Sequence, residues 1–505
     1  MHRCLEINEI LVYIFNLALA PPDDYLAALE LDADEYGDLL DSHDQDTNPL
    51  SLALTCRAFL EPAMGLIWYS ISSFNMLKGC IPLDGEPIDS PAWDSFKSYA
   101  WRVKEYGTWP RIPYLKTLYR NKFLGNDPRL LAVLKAAYPR GSKMLPNLVY
   151  LDIIEPCMME MIPSLHGNGL KTLSLTLRPQ EFPLSPSWDV PELPASIERY
   201  KISHSLCPPE ETAVLINMSR QLPALKYVEL ANNIHSGPTG EEVNCTEDVF
   251  AHLSSLSTLR SVSVSCDSLA PSDAGIDVES RGFSSLESLD LAVPDSNEFM
   301  RRLARISSHK LTSVGITLRD AAPTSTQVQT ALSAIRAKLE MAVPAKLSIK
   351  NVGHHQWHRD AELEGIIIIL FQPETILHPL LDLHNLADLT ICLHSPLDVD
   401  HSLLKTMMAA WPALRALQLI SCCCGDGPAR ITLPGLRPLA EHKELRSCSL
   451  IIDATTYMQH PPMRSSSLLR SFIVNGSPVA SPHLVAAFLS ELLTSRVVGC
   501  QERLR

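Results

Sequence analysis

Two groups of side chains in the sequence have the residue types that bind metal ions. His354 and His358 are four residues apart, so a helix would bring both imidazoles to one face, where they could hold zinc. No carboxylate or cysteine follows at a supporting spacing, which favours a run of surface histidines. The three adjacent cysteines at Cys422–Cys424 cannot converge on one ion without strain, which favours a buried structural sulfur at Cys422. We therefore expect no bound metal.

Catalytic motifs are missing from the sequence. It contains no Gly-x-Ser-x-Gly elbow, no phosphate-binding loop that ends in Gly-Lys-Ser/Thr and no His-Glu-x-x-His pair. A Gly-Asp-Gly triplet begins at Gly425, but it lacks the third glycine and the context of a dinucleotide-binding turn. We expect a protein that catalyses no reaction itself and carries no cofactor.

The charge and hydropathy of the chain limit the classes of molecule that it is expected to bind. A formal net charge of −14 argues against nucleic-acid binding, which needs a basic surface. Ten acidic side chains lie between Asp23 and Asp46, where no lysine or arginine occurs, so the rest of the chain is nearly balanced. This stretch could attract a basic partner, although a solvated loop is the favoured interpretation. The longest apolar run, Ile366–Phe371, is far too short to cross a membrane.

Cysteine usage and the N-terminus bear on the compartment. The 13 cysteines form no paired Cys-x-x-Cys framework, which favours a reducing compartment, the cytoplasm or the nucleus. The apolar segment Ile10–Ala20 is similar to a secretory signal. Glu6 and Glu9 stand where a signal has positive charge, and Asn16 interrupts the apolar core. Secretion is therefore kept as an alternative.

A short leucine-based segment repeats along the chain and predicts its fold. In the copy that starts at Leu225, Val228 and Leu230 are two residues apart, so in a strand they share one face, while Tyr227 and Glu229 look outward. One such strand cannot bury its apolar side alone and must stack on further copies.

Eleven copies occur, and most successive copies are 22 to 34 residues apart. Their first positions are Leu148, Leu170, Ile197, Leu225, Leu259, Leu286, Leu311, Leu386, Leu414, Leu445 and Leu469. A degenerate copy near Leu347 fills the longest gap, and Arg102–Tyr106 could be a degenerate first strand. The spacing predicts an α/β fold, an irregular leucine-rich-repeat solenoid with parallel strands on its concave face. Asn233 and Cys422 stand at the position of the usual buried polar ladder.

Stretches with helical period alternate with these strands. Phe299, Leu303 and Ile306 share one face, and a second helix carries Val328, Leu332, Ile335 and Leu339. The pair Ser481-Pro482 predicts the start of a final helix with Leu484, Phe488, Leu489 and Leu492 on its apolar side. The alternation predicts helices behind the parallel strands.

The sequence divides into three regions. Residues 1–75 form a small helical unit with an acidic insertion at 21–49, residues 76–144 an aromatic-rich connector and N-terminal cap, and residues 145–505 the repeat domain. Three of the seven tryptophans, Trp93, Trp101 and Trp109, lie in the connector. They could form a stacking site for a ligand, but an aromatic buttress that closes the end of the repeats is favoured, since repeat folds need capping layers.

The N-terminal unit contains the segments Leu5–Leu11, Leu52–Phe59 and Leu66–Trp68. Together they resemble an F-box, whose pattern is Leu-Pro-x-Glu-Ile-Leu, an apolar helix, a Val-Cys-Arg-x-Trp segment and a closing Leu-Trp. Asn8 replaces the usual proline, Phe59 replaces the usual tryptophan, and the acidic insertion splits the motif. With its repeats, the whole chain resembles fungal F-box proteins with a degenerate leucine-rich-repeat body.

The resemblance implies the substrate-recognition subunit of an SCF-type ubiquitin ligase. The F-box would dock on a Skp-type adaptor joined to a cullin scaffold, and the repeats would bind a target protein. The expected adaptor contacts, some of which must instead be internal core, are Ile7, Ile10, Leu11, Phe15, Leu52, Leu54, Phe59 and Trp68. The expected target contacts are Tyr227, Glu229, Arg260, Glu287 and Arg415. The alternative is a leucine-rich-repeat scaffold that binds proteins without recruiting a ligase.

Overall fold

The repeated segments form β-strands that follow one another in the order of the chain. The computed structural model describes residues 11, 49–83, 85–107, 126–153, 155–177, 192–204, 217–232, 247–265, 282–318, 325–340, 345–351, 373–393, 397, 399–421, 430–455, 468–474 and 477–492. The chain divides into two units, Met1–Ala224 and Leu225–Arg505.

Five strands belong to the first unit and nine to the second among the described residues. The first unit contains β1 (Ser70–Ile71), β2 (Glu105–Tyr106), β3 (Tyr150–Ile153), β4 (Thr172–Leu177) and β5 (Arg199–His204). The second contains β6 (Tyr227–Asn232), β7 (Ser261–Ser265), β8 (Ser288–Val293), β9 (Ser313–Leu318), β10 (Ala345–Asn351), β11 (Leu386–Leu393), β12 (Ala416–Ser421), β13 (Ser447–Ser449) and β14 (Ser471–Ile473).

Helices occupy most of the connections. In the first unit the described α-helices are α1 (Pro49–Thr55), α2 (Arg57–Ile67), α3 (Asp94–Ala100), α4 (Pro128–Ala137) and α5 (Ile162–Leu165). In the second they are α6 (Glu247–Ser255), α7 (Ser296–Ala304), α8 (Ser325–Leu339), α9 (Pro373–Leu381), α10 (His401–Ala410), α11 (Arg437–Glu441) and α12 (Pro482–Leu492). Within the described ranges, none of them has the length and apolar character needed to cross a bilayer.

The inward side chains of the parallel strands stack in register. In the second unit one continuous row lies across the strands, and every member of it is buried. The row consists of Val228, Val262, Leu289, Val314, Leu347, Leu389, Leu417, Cys448 and Phe472. Burial raises the pKa of the Cys448 thiol, so this side chain stays neutral and packs as a small apolar group.

The first unit is built in the same way. Its inner row consists of Ile71, Tyr106, Leu151, Leu173 and Tyr200, which are buried and in register. Parallel strands in chain order, each with inward apolar residues two apart and a crossover to the next strand, define the α/β leucine-rich-repeat fold. The predicted fold class is confirmed.

The structure confirms all eleven predicted strand segments, and the degenerate copy at Leu347 forms β10. The segment Arg102–Tyr106 contributes β2, and β1 precedes it. These two strands have two residues each, too few to show an alternating pattern. On α8, the four predicted apolar residues are all buried, and α12 begins at Pro482 as predicted. Leu484, which the sequence analysis placed on the apolar side of this helix, instead faces solvent.

Hydrogen bonds from single side chains connect consecutive repeats. Asn233 and Cys422, the predicted ladder residues, lie outside the described residues. In the described part, a polar side chain ahead of several strands donates to a backbone carbonyl of the preceding repeat. The donors and their distances are Ser196 to Leu170 (2.8 Å), Thr258 to Leu225 (2.7 Å), Ser308 to Leu286 (2.7 Å) and Trp411 to Leu380 (2.9 Å).

The aromatic connector is mostly core. Trp93 and Phe96 are fully buried and pack edge-on, with ring centroids 5.6 Å apart. Both contact Tyr138 at 5.9 Å, and the Trp93 Nε1–H donates to the carbonyl of Glu86 at 3.0 Å. These rings are unavailable to stack on a ligand, which favours the buttress. Trp101 is exposed, and Trp109 lies outside the described residues.

A buried ion-pair network joins α6 and α7. Arg302 is almost completely buried, and its Nε donates to Glu298 Oε1 at 2.7 Å on the same helix. Its Nη1 lies 2.9 Å from Glu247 Oε2, and Arg305 also pairs with Glu247. The Phe250 ring covers the Arg302 guanidinium at 4.5 Å. Because a buried charge without a partner is costly, each glutamate is needed to keep Arg302 inside.

Replacing Glu298 with glutamine should therefore destabilise the fold. We expect Glu298→Gln to lower the free energy of unfolding by about 3–5 kcal/mol, since Arg302 would keep its charge but lose one of its two carboxylates. Chemical denaturation monitored by circular dichroism measures this change.

Glu441→Gln is the matched control. Glu441 Oε1 accepts from Arg437 Nε, also at 2.7 Å and also four residues away, but both side chains of this pair are exposed. The control should change stability by less than about 1 kcal/mol. Equal effects of the two substitutions would contradict the role given to the buried network.

Candidate functional site

The helix pair α1–α2 is a small unit with its own core. Pro49 begins α1, where its missing N–H costs nothing. Cys56 has extended backbone (φ −160°, ψ 160°), so it separates the two helices and occupies the N-cap position of α2. The core of the pair consists of Ala53, Ala63 and Leu66, with Leu52, Phe59 and Ile67 packed against them.

Three leucines of the helix pair are exposed. Leu50 and Leu54 are four residues apart on α1, which places them on one side of the helix. They are 53% and 78% exposed, and Leu60 on α2 is 43% exposed. We call these three residues the leucine face. Large apolar side chains that remain exposed on two packed helices are candidates for contact with another molecule.

The helix pair is held firmly against the strands of the first unit. Only Trp68 and Tyr69 separate the end of α2 from the start of β1. The Tyr69 carbonyl accepts hydrogen bonds from the backbone N–H groups of Lys104 and Glu105 at 2.8 and 2.9 Å, next to β2. The connection is therefore short and hydrogen-bonded.

Two side-chain contacts add to this attachment. The Trp68 and Tyr99 rings lie with centroids 4.7 Å apart and planes tilted by 41°. Glu61 on α2 pairs with Arg102 at 2.6 Å, just after α3. Any molecule bound to the leucine face would thus have a fixed orientation relative to the first unit.

The predicted adaptor contacts have different positions in the structure. Ile7, Ile10 and Phe15 lie outside the described residues. Leu11 is helical and 2% exposed. Of the other four, Leu52 and Phe59 pack in the core of the helix pair. Trp68 packs on Tyr99. Leu54 is exposed and belongs to the leucine face.

Leu50 and Leu60 were not among the adaptor contacts predicted from the sequence. The four-residue spacing of Leu50 and Leu54 was the available signal. It predicts a shared helical side but not whether that side faces the core or solvent. The packing of α2 decides this, because α2 contacts Leu52 and Ala53 while Leu50 and Leu54 stay exposed.

The predicted target contacts lie along the outer side of the strands in the second unit. Tyr227 and Glu229 are half-buried on β6 and face outward between the buried Val228 and Leu230. Arg260 and Glu287 directly precede β7 and β8 and form an exposed ion pair at 3.6 Å. The structure thus brings these two residues together.

Arg415 directly precedes β12 and is exposed. On the outer side near the predicted contacts, small residues occupy one row, in the register Ser263, Asp290, Gly315 and Ser348. A Cβ on Gly315 would lie 2.5 Å from Asp290 Oδ1, so this position accepts only glycine without rearrangement.

The candidate metal ligands lie outside the described residues: His354, His358 and Cys422–Cys424. Within the described part of the chain, no three His, Cys, Asp or Glu side chains are grouped to hold a metal ion.

The attachment of the helix pair generates a measurable prediction. The Trp68 and Tyr99 rings should contribute a coupling energy of about 0.5–1.5 kcal/mol, as measured aromatic pairs do. A double-mutant cycle of Trp68→Ala, Tyr99→Ala and the double variant, measured by chemical denaturation, gives this value. Strictly additive effects would show that the contact does not hold the pair in place.

Known proteins give limited comparisons. No protein-family model matches the sequence, and no curated protein matches it either. Among solved structures, the leucine-rich repeat-containing protein LegL7 from Legionella pneumophila is similar. The match has 13% sequence identity and a TM-score of 0.31, and it covers 64% of this chain and 90% of LegL7. The fold assignment rests on the strand order and register of this chain.

Proposed function

We propose that this chain is the target-recognition subunit of an SCF-type ubiquitin ligase. In this proposal the helix pair α1–α2 binds a Skp-type adaptor, which connects it to a cullin scaffold, and the leucine-rich repeats hold the target protein. The observation that carries the proposal is the leucine face, because its side chains are exposed on the same helices whose sequence resembles an F-box.

The leucine face supplies a driving force for docking. Burying one leucine side chain that was exposed to water stabilises a complex by about 1.5–3 kcal/mol. Three such residues therefore provide several kcal/mol, from which the loss of translational and rotational freedom is subtracted. Because the face is already formed on two packed helices, little ordering energy is needed on binding.

The proposal divides the predicted adaptor contacts into two roles. Leu54, joined by Leu50 and Leu60, touches the adaptor. Leu52 and Phe59 instead hold α1 against α2, and the buried Leu11 has an interior role as well. Ile7, Ile10 and Phe15 remain predicted contacts from the resemblance.

The chain would carry out no bond chemistry itself. A receptor subunit holds a target lysine near a charged conjugating enzyme and so raises the effective concentration of the two reactants. The firm attachment of the helix pair to the first unit suits this role, since a loose connection would lower that concentration. We place the protein in the cytoplasm or nucleus, in keeping with the free thiols of Cys56, Cys80, Cys157, Cys392 and Cys448.

A scaffold that binds proteins without recruiting a ligase is the second candidate. The outer side of the strands favours it, since repeat folds offer extended binding surfaces whatever lies at their ends. The two candidates share the predicted target contacts Tyr227, Glu229, Arg260, Glu287 and Arg415. They differ in whether the leucine face binds an adaptor.

Co-expression with a Skp-type adaptor tests the proposal. The intact chain should elute with the adaptor in one peak on size exclusion. The double variant Leu50→Asp/Leu54→Asp should elute alone, because two buried carboxylates without partners would oppose the contact. Both leucines are exposed in the free chain, so we expect its free energy of unfolding to change by less than about 0.5 kcal/mol per substitution.

Leu83→Asp is the matched control. Leu83 is 52% exposed but lies outside the helix pair, so this variant should keep the adaptor bound. Failure of the intact chain to bind any Skp-type adaptor would favour the scaffold candidate. Retention of the adaptor by the double variant would show that the leucine face is not the docking surface.

A further inference from the structure

One carboxylate on the outer side of the second unit has small neighbours on every side. Asp290 is exposed on β8. In register with it are Ser263 on β7 and Gly315 on β9, and the adjacent outward residues of its own strand are Ser288 and Ala292. The four diagonal positions hold three serines and a threonine. Because no long side chain stands at any of these positions, another molecule can reach the carboxylate from the outer side.

The Asp290 side chain lies across the neighbouring glycine and has few contacts of its own. A Cβ on Gly315 would lie 2.5 Å from Asp290 Oδ1, so the carboxylate leans over the backbone of β9. The Ser263 hydroxyl donates to Asp290 Oδ2 at 3.4 Å, which is long for a hydrogen bond of this kind. Within the described part of the chain, Asp290 forms no ion pair.

The surroundings of this carboxylate disfavour its charge. Desolvation raises the pKa of Asp290 above its ordinary value, and the nearby charge of Glu229 adds to the rise. Lys350 and the Ser263 hydroxyl act in the opposite direction and offset the rise only in part. A carboxylate that is poorly solvated and lacks an ion pair is stabilised by a cation that another molecule supplies.

A lysine on the same sheet face has the complementary arrangement. Lys350 is exposed on β10, and among the described residues it forms no ion pair either. Lys346 and Asp388, which face outward on β10 and β11, do pair, at 2.8 Å. Lys350 lies two strands from Asp290 and two residues further along, so their backbones are about 12 Å apart. Two opposite charges are thus presented to solvent at a fixed separation.

We propose that this face binds a segment of a partner protein that presents a basic residue to Asp290 and an acidic residue to Lys350. A guanidinium offers paired donors that match a carboxylate. In an extended segment, residues four positions apart lie on one side and about 13 Å apart, which fits the separation of the two charges. Gly315 and Ser348 lie in register between them, and such small residues let the segment approach the sheet.

Other classes of ligand fit this face less well. A nucleic acid would be repelled by Asp290 and by the net charge of −14. A calcium ion needs about six to eight oxygen ligands, and in the described ranges no three His, Cys, Asp or Glu side chains are grouped to hold a metal ion. A protein segment with both charges satisfies Asp290 and Lys350 together.

This inference rests on the part of the proposed function that both candidates share, namely that the repeats hold a protein. It adds the chemistry of the bound segment and two contacts, Asp290 and Lys350, to the predicted target surface. The leucine face is not involved, so adaptor binding and segment binding succeed or fail separately.

Selection from a library of random dodecapeptides displayed on phage, with the immobilised full chain as bait, tests the proposal. The enriched peptides should contain arginine or lysine four positions from aspartate or glutamate. The most enriched peptide, labelled with fluorescein, is then the probe for fluorescence anisotropy. Asp290→Asn should weaken its binding by about ten-fold or more, because a charge-assisted bond is lost. Lys350→Gln should weaken it by less, because an ammonium contact is less directional.

A double-mutant cycle checks that the basic residue of the peptide touches Asp290. The peptide variant has glutamine in place of that basic residue and is measured with the intact chain and with Asp290→Asn. If the two groups are in contact, the second substitution weakens binding little once the first has been made.

Glu441→Gln is the control, because it removes one negative charge from an exposed side chain on α11. It should leave peptide binding within about two-fold, since exposed charges far from the peptide are screened by salt. The thermal midpoint of Asp290→Asn should equal or exceed that of the intact chain, because the substitution removes a charge that its surroundings disfavour.

The proposal is overturned if the enriched peptides lack the two opposite charges, if Asp290→Asn and Glu441→Gln weaken binding equally, or if the two substitutions of the cycle add in full. Peptide binding that depends on Asp290 in a chain that binds no Skp-type adaptor would overturn the ligase role and support this inference.

Discussion

The structure depends on one constraint: a strand of this chain can bury its inner side chains only against the strands beside it. Val228 is buried because Val262 lies next to it in register, and the same holds along the row to Phe472. The apolar row is thus shared by the repeats, and no repeat is expected to be stable alone. Substitutions in this row should affect neighbouring repeats as well as their own.

Polar contacts fix how the repeats stack, and apolar burial provides the driving force. Side chains such as Ser308 and Trp411 each donate to a carbonyl of the preceding repeat, which would otherwise lose a partner on burial. The Arg302 network does the same in the helix layer with charged groups. Such groups contribute less to stability than to the choice of one arrangement, since misplacing them leaves a buried charge or donor unpaired.

The strands could be predicted from the sequence because their signal is local. Alternating apolar residues such as Val228 and Leu230 need no knowledge of the rest of the fold. The strands β1 and β2 have no such pattern in two residues each. Arg302 could not be predicted as buried, because its partner Glu247 lies far away in sequence and a charged helical residue normally faces solvent.

The candidate site, too, could be predicted only as far as local sequence patterns allow. The sequence indicated apolar residues on α1 and α2 without separating core from surface. Leu52 and Leu54 look equivalent in sequence, yet packing against α2 covers one and leaves the other in solvent.

The central claim is that the leucine face of α1–α2 is the surface by which this chain joins a larger assembly. Hydrogen–deuterium exchange of the full chain, alone and with a Skp-type adaptor, tests it most directly. The account predicts slower exchange in residues 49–67 on addition of the adaptor, with exchange in β6–β14 unchanged. Unchanged exchange in residues 49–67, or protection confined to the repeats, would contradict it.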